Sequence, residues 1–263
     1  MIPQAFITEW SNITPWQTNE QVEQDLVISR ALVEIFSDDW LSKSLAFRGG
    51  TALHKLYLSP QPRYSEDIDL VQIRAEPIKE TVLRLQKSLS FLGEASIKQR
   101  KDGIQLKFHF ESEFAPVQML RLKVEANTRE HFSVLGYHEV PFEVVSSWFT
   151  GRCKLTTYRL EELLGTKLRA LYQRKKGRDL YDMYIALTKE PGLDNEAVIK
   201  SYRSYMDFSQ GISPTQRQYI LNMESKINDP EFLGDTNAIL RPEVIYNPQI
   251  AYELVKRELI EMI

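Results

Sequence analysis

Asp67 and Asp69 stand two positions apart in Ser65-Glu66-Asp67-Ile68-Asp69, just downstream of the turn Gly49-Gly50-Thr51. On a strand, residues i and i+2 share a face, so the two carboxylates point the same way. Two hard anionic oxygen donors suit Mg²⁺, with Mn²⁺ as the alternative, and such ions usually complete their shell with substrate phosphates. Glycines ahead of a helix let backbone N–H groups approach a phosphate, and the positive end of the helix dipole adds to the attraction. Thr51 would cap that helix or donate to a phosphate oxygen, while Arg48 and Lys55 add positive charge nearby. Alone, each feature has a plain reading: exposed acids in a loop, or a flexible helix start. Together they are the parts of a metal-dependent phosphoryl- or nucleotidyl-transfer site.

A third carboxylate often completes such a site. Glu125 is the candidate, because Leu120, Leu122 and Val124 set the apolar face of a strand and leave Arg121, Lys123 and Glu125 on the other. The plainer reading is a surface glutamate balancing Lys123 and Arg121 across the sheet.

A lysine draws attention further along. On a helix over 158–173, Leu160, Leu163, Leu164, Leu168 and Leu171 define an apolar arc that includes Lys167. A charge inside such an arc must snorkel, pair or serve a site. Asp179, bordering the apolar arc of the next helix, is its plausible partner, with Asp182 lying farther round. The basic loop Arg174-Lys175-Lys176-Gly177-Arg178 could contact a triphosphate or an RNA backbone, although a solvated helix C-terminus accounts for the same charges.

The elements that must position these groups follow from periodicity. Helices are expected over 19–37, 51–57 and 77–92, and strands over 67–73, 104–110 and 119–126, with Asp102-Gly103 marking a hairpin and a further strand over 138–145. Beyond residue 158 the pattern turns helical: 158–173, 178–189, 194–207, 214–228 and 248–262. The chain thus reads as an α/β half over 1–150 and a helical half over 151–263, divided near Gly151.

Composition bounds the function. The 263 residues are 43% hydrophobic and 26% charged, with a net charge of -3, which argues against a strongly basic nucleic-acid coat but does not exclude a local basic patch. A single cysteine, Cys153, excludes an internal disulfide and a cysteine zinc site, and fits a cytoplasmic setting. The four histidines lack metal-ligand spacing. No signal peptide and no apolar run long enough to span a bilayer is evident.

The blocks Phe47-Arg48-Gly49-Gly50-Thr51-Ala52-Leu53-His54-Lys55, Arg63-Tyr64-Ser65-Glu66-Asp67-Ile68-Asp69-Leu70, Glu161 through Leu171, and Arg178-Asp179-Leu180-Tyr181-Asp182 resemble the AbiEii/AbiGii (MenT-like) toxin family of DNA polymerase β-like nucleotidyltransferases. The resemblance implies an α+β fold, a nucleotidyltransferase core with a mixed sheet followed by a C-terminal helical bundle. It implies catalytic roles for Asp67, Asp69, Lys167 and Asp179, with the helical part contributing the last two to the cleft. Nucleotide binding would fall to Arg48, Gly49, Gly50, Thr51, Lys55, Ser65 and Arg178, and metal to Asp67 and Asp69, with Glu125 added from its strand position. The implied substrate is a nucleoside triphosphate, the acceptor the 3′ end of tRNA, the outcome blocked translation and phage defence, and the partner a cognate antitoxin. A protein or small-molecule acceptor, or a non-catalytic nucleotide-binding interaction protein, remain as alternatives.

Overall fold

The computed structural model describes residues 2–263, the side chain of Gln210 excepted. The chain contacts itself as two compact units. One comprises Met1–Phe132 and Tyr137–Tyr158; the other comprises Ser133–Gly136 and Arg159–Ile263.

The first unit opens with helices α1 (Gln4–Ser11), α2 (Asn19–Phe36) and α3 (Leu41–Ser44). Strand β1 (Leu45–Arg48) then runs straight into α4 (Gly49–Leu56), and β2 (Asp67–Gln72) is followed after a short loop by α5 (Lys79–Ser88). Strands β3 (Ser96–Arg100), β4 (Gly103–Glu111), β5 (Met119–Asn127), β6 (Tyr137–Val145) and β7 (Thr150–Tyr158) complete a seven-stranded sheet of order β3-β4-β5-β2-β1-β7-β6. The sheet is mixed: β2 pairs parallel with β5 and β1 parallel with β7, and the other neighbours are antiparallel.

Local sequence explains these elements. Thr18 caps α2, its hydroxyl accepting from the Gln21 N–H. The strict alternation of β4 buries Ile104, Leu106, Phe108 and Phe110, and that of β5 buries Leu122, Val124 and Ala126. These side chains join Leu26, Ile28, Phe47, Ile68 and Leu70 in a core from which solvent is excluded. Leu45, Ala46 and Phe47 of β1 are wholly buried, as suits a central strand covered on both faces.

Strand β7 was not anticipated from the sequence, and Gly151, where the chain was expected to divide, lies inside it. Ladder bonds to β6 and β1 hold this stretch in the sheet, so the first unit runs on to Tyr158.

The second unit is helical: α6 (Leu160–Gln173), α7 (Gly177–Lys189), α8 (Asn195–Gln210), α9 (Gln216–Lys226), α10 (Pro230–Gly234) and α11 (Pro248–Glu258). Asp194, Thr215, Asp229 and Asn247 each cap the helix that follows, and α10 and α11 begin with proline in the first turn. Its core holds Leu164, Leu168, Tyr202, Tyr205, Tyr219 and Val255. The short piece Ser133–Gly136 is bound into this unit chiefly by Glu162, with Arg159 Nε also donating to the Leu135 carbonyl (3.3 Å). The buried Glu162 carboxylate accepts from Ser133 Oγ (2.7 Å), from the Val134 and Leu135 N–H groups (2.8 Å each) and from the Tyr205 hydroxyl (2.7 Å).

Candidate active site

The β2 strand carries the two aspartates as its alternation requires: Ile68 and Leu70 are buried, and Asp67 and Asp69 are half-buried on the opposite face. Register then builds a row across four strands. Arg48 of β1 lies opposite Asp69, Asp69 opposite Glu125 of β5, and Glu125 opposite Gln105 of β4. The expected third carboxylate is therefore beside Asp69. Its Oε1, however, accepts from Gln105 Nε2 and lies 3.5 Å from Lys123 Nζ.

In the sequence Lys123 is marked only as a charge that Glu125 balances. Its ammonium sits 2.6 Å from Asp67 Oδ2. Burial works against a charged lysine here, yet the hydrogen bond to Asp67 and the fields of Glu125 and Asp69 hold it above the usual lysine range. Burial pushes the Asp67 carboxyl up to about 6, against the pull of Lys123. A cation thus lies among the carboxylates, but it belongs to the chain.

The glycine turn meets the aspartates directly. Helix α4 begins at Gly49, earlier than periodicity indicates, so the glycines form its first turn. No side chain caps its N-terminus. Gly49 has φ +81, a left-handed conformation, and a Cβ there would lie 2.1 Å from Asp69 Oδ2. A Cβ on Gly50 would lie 2.8 Å from Arg63 Nη2 and 3.2 Å from Ser65 Oγ. The Asp69 carboxylate and the buried Arg63 guanidinium therefore rest against glycine backbone. Arg63, which also donates to the Tyr64 carbonyl (2.8 Å), stands in the Arg63–Leu70 block but not among the expected site residues.

Several expected nucleotide contacts are otherwise engaged. Thr51 is buried; its hydroxyl donates to the Asp67 carbonyl and lies 2.9 Å from Ser65 Oγ, tying α4 to β2 instead of facing a phosphate. Lys55 is also not open to a triphosphate. Its ammonium is buried 3.1 Å from both oxygens of Asp25 and donates to Ser29 Oγ (2.9 Å). A lysine paired with a buried aspartate is an internal brace between α4 and α2. Arg48 pairs with Glu130, which raises its already high pKa, and it borders a cleft of about 460 Å³. Asp69, Glu125, Arg100 and Lys101 also line that cleft.

In the helical unit, Lys167 and Asp179 do meet. Lys167 Nζ donates to Asp179 Oδ1 (3.0 Å) and lies 2.8 Å from Asp182 Oδ2, all three groups being buried. Asp182, although farther round its helix than Asp179, is thus a full and buried partner. Arg174 grips Asp179 with two nitrogens, at 2.6 and 2.7 Å. Burial alone would raise Asp179; Lys167 and Arg174 outweigh it and hold the carboxyl below the usual range. The rest of the basic loop is neutralised locally. Lys175 pairs with Asp229 (2.5 Å), Lys176 with Asp235 (3.5 Å), and the Arg178 backbone N–H with Asp235 Oδ2 (3.1 Å). Arg178 Nε lies 3.7 Å from the same oxygen. Those acids give the loop local partners, while Arg174, Lys175 and Lys176 keep part of their side chains exposed.

Sequence comparison decides what kind of protein carries this geometry. The family model described as nucleotidyl transferase AbiEii toxin, type IV toxin–antitoxin system, matches residues 30–253. The chain belongs to the AbiEii family. It is accordingly a nucleotidyltransferase of a toxin–antitoxin family, for which a triphosphate substrate and an antitoxin partner are implied. Solved structures agree on the α+β fold. MenT4, a nucleotidyltransferase toxin from Mycobacterium tuberculosis H37Rv, superposes with a TM-score of 0.70 at 16% identity, over 98% of this chain and 88% of that one. A putative nucleotidyltransferase from H. pylori does so with a TM-score of 0.54 at 18% identity, over 93% and 96%. No curated protein matches the AbiEii chain in sequence.

Donor chemistry decides whether a divalent cation fits. Asp67 and Asp69 offer hard oxygens on one face, enough for an ion that takes its remaining ligands from phosphates and water. Among the described residues, no group of three or more His, Cys, Asp or Glu is gathered closely enough to hold a metal ion. Glu125, the expected third ligand, lies opposite Asp69 and is engaged by Gln105 and Lys123. Nor, among the described residues, is any helix long and apolar enough to cross a membrane.

Proposed function

We propose that the AbiEii chain transfers a nucleoside monophosphate from a triphosphate to the 3′ end of an RNA, with tRNA the acceptor, and so halts translation until an antitoxin neutralises it. The observation that supports this reading most is the packing of the Asp69 carboxylate on Gly49. It joins a carboxylate pair and an uncapped helix N-terminus in a single rigid piece.

In this reading Asp67 and Asp69 would hold Mg²⁺, which would supply neutralisation of phosphate charge and a lowered pKa for the acceptor hydroxyl. The N–H groups at Gly49 and Gly50 receive phosphate oxygens, and the dipole of α4 favours their charge. Arg48, fixed by Glu130, lends positive charge beside Asp69. Gln105 holds Glu125 in place beside Asp69. The acceptor oxygen attacks the α-phosphorus in line, that P–O bond forms, the bond to the β-phosphate oxygen breaks, and pyrophosphate leaves. Such catalysis is positioning and electrostatics, so each contact matters more than any single proton transfer. The roles implied for Lys167 and Asp179 belong to the same proposal.

The test incubates purified protein with Mg²⁺, total RNA and each α-labelled triphosphate in turn, beside D67A/D69A and K167M variants. Label in a tRNA-sized band, present with the intact chain and absent with D67A/D69A, supports the proposal and names the nucleotide. Label in protein or in a small molecule replaces the acceptor. Transfer that survives loss of both aspartates overturns the metal assignment, and transfer that survives K167M removes Lys167 from the mechanism.

A further inference from the structure

The face of the sheet that bears Asp67 and Asp69 does not end at Glu125. Register carries it on across β5, β4 and β3, where the residues sharing it include Arg121 and Lys123, then Gln105, Lys107 and His109, then Lys98 and Arg100. Lys98, Arg100 and Arg121 are exposed, and Lys107 and Lys123 half-buried. Two of these lysines, Lys107 and Lys123, are direct cross-strand partners. Like charges placed opposite one another destabilise a sheet. Arg121 adds a third cation diagonally beside Lys107. Among the described residues Lys98, Lys107 and Arg121 make no ion pair, although the chain as a whole carries a net charge of -3. Apart from the carboxylates of the site, the acid on this face is Glu111, at its far end opposite Met119.

We propose that this β3–β4–β5 face is the track on which a single-stranded RNA acceptor lies, its reactive end directed to Asp67 and Asp69. The inference rests on the transfer reaction proposed above and extends it to a binding surface. Strands about 4.8 Å apart and side chains repeating about every 6.8 Å along them set the cations at the spacing of successive phosphates in an extended strand. Lys123 is already offset by Asp67 and Glu125, so a polyanion on this face would neutralise the cations that have no acid beside them, Lys98, Lys107 and Arg121. No Phe, Tyr or Trp stands on this face, since Phe108 and Phe110 point into the core. Recognition is therefore of phosphates and not of bases: insensitive to sequence and steeply dependent on salt.

The test measures anisotropy of a short fluorescein-labelled single-stranded RNA of mixed sequence against the full chain, between about 50 and 200 mM salt. Two variants are compared with it, K98E/K107E/R121E and the neutral K98Q/K107Q/R121Q. The second keeps the test sound if charge reversal perturbs folding, because removing mutual repulsion leaves the sheet at least as stable. Binding of a fluorescent triphosphate with Mn²⁺ reports that the remainder of the site is intact. For the unaltered chain, log affinity should fall with log salt by about 0.7 per phosphate contacted, and the neutral variant should lose roughly two of those contacts and at least tenfold in affinity. Unchanged RNA binding in both variants overturns the proposal, as does RNA binding without salt dependence. So does an effect of the variants confined to an acidic protein partner. If the variants lose RNA binding but no nucleotide reaches RNA with the intact chain, the surface stands and the transfer reading fails. If the variants transfer to RNA normally, the surface fails and the transfer reading stands.

Discussion

Substituting Gly49 by alanine should separate backbone strain from displacement of a functional carboxylate. At φ +81 an L-residue pays about 1–2 kcal/mol relative to glycine. The added Cβ would also lie 2.1 Å from Asp69 Oδ2 and 2.9 Å from Asp69 Cβ and Cγ. To restore ordinary contact the carboxylate must retreat by more than about 1 Å. Misplacement of that size costs roughly a hundredfold in a reaction that depends on positioning. Gly93 supplies the control: its φ is +83, and nothing lies within 4 Å of a Cβ there. Urea denaturation should show G93A, at φ +83 and ψ -156, losing about 1–3 kcal/mol, and G49A at least as much, since its Cβ also meets Asp69. Only G49A should lose nucleotide transfer, by about two orders of magnitude. If G49A keeps transfer within a few-fold of G93A, the Asp69–Gly49 contact does not govern the chemistry.

Lys123→Met should strengthen Mn²⁺ binding about tenfold by electron paramagnetic resonance, because the ion no longer displaces a charge-assisted hydrogen bond of about 1.5–3 kcal/mol; unchanged or weaker binding above pH 8 would sink the idea that the ammonium competes with the cation. Glu162→Ala leaves the Val134 and Leu135 N–H groups without their acceptor and should destabilise the chain by about 3 kcal/mol or more in denaturant titrations; a loss below about 1 kcal/mol would contradict the anchoring role. Glu23 is buried, and burial pushes its carboxyl from 4.5 up to about 7, the N-terminus pulling the other way. Between those values the unfolded chain releases the proton while the folded chain keeps it, so stability is full below 4.5 and falls as pH rises to 7. Glu23→Gln should flatten that decline in thermal melts, and parallel curves for the two proteins would remove Glu23 as its source.

What could be read in advance was local. Ile68 and Leu70 alternate with Asp67 and Asp69, so the face of the aspartates follows from parity, and parity equally placed Glu125 on the polar side of its strand. Parity does not say what a polar side chain touches. Lys55 looked like a phosphate ligand because its partner Asp25 lies far upstream, on a helix that only packing brings near. The basic loop at 174–178 looked open because Asp229 and Asp235 follow much later in the chain. Lys123 was visible as a charge, but its commitment to Asp67 depends on β5 lying parallel to β2, a pairing with no local signature. Strand β7 was missed for a related reason: it carries Gly151, and its place between β1 and β6 is a long-range result. Lys167 was found because its misfit is local, a cation within an apolar arc, and the misfit is answered by two buried aspartates.

The route of the chain also limits how the protein can be taken apart. It leaves the first unit after Phe132, returns at Tyr137 and departs again after Tyr158. The two units are therefore interleaved along the sequence. A chain stopped at Tyr158 would keep the Val134 and Leu135 donors and lose the Glu162 carboxylate that satisfies them. A chain begun at Arg159 would have the reverse defect, a carboxylate deprived of most of its donors. Neither piece is a self-sufficient cassette, so the helical part cannot be exchanged between relatives unless the four-residue segment Ser133–Gly136 travels with it.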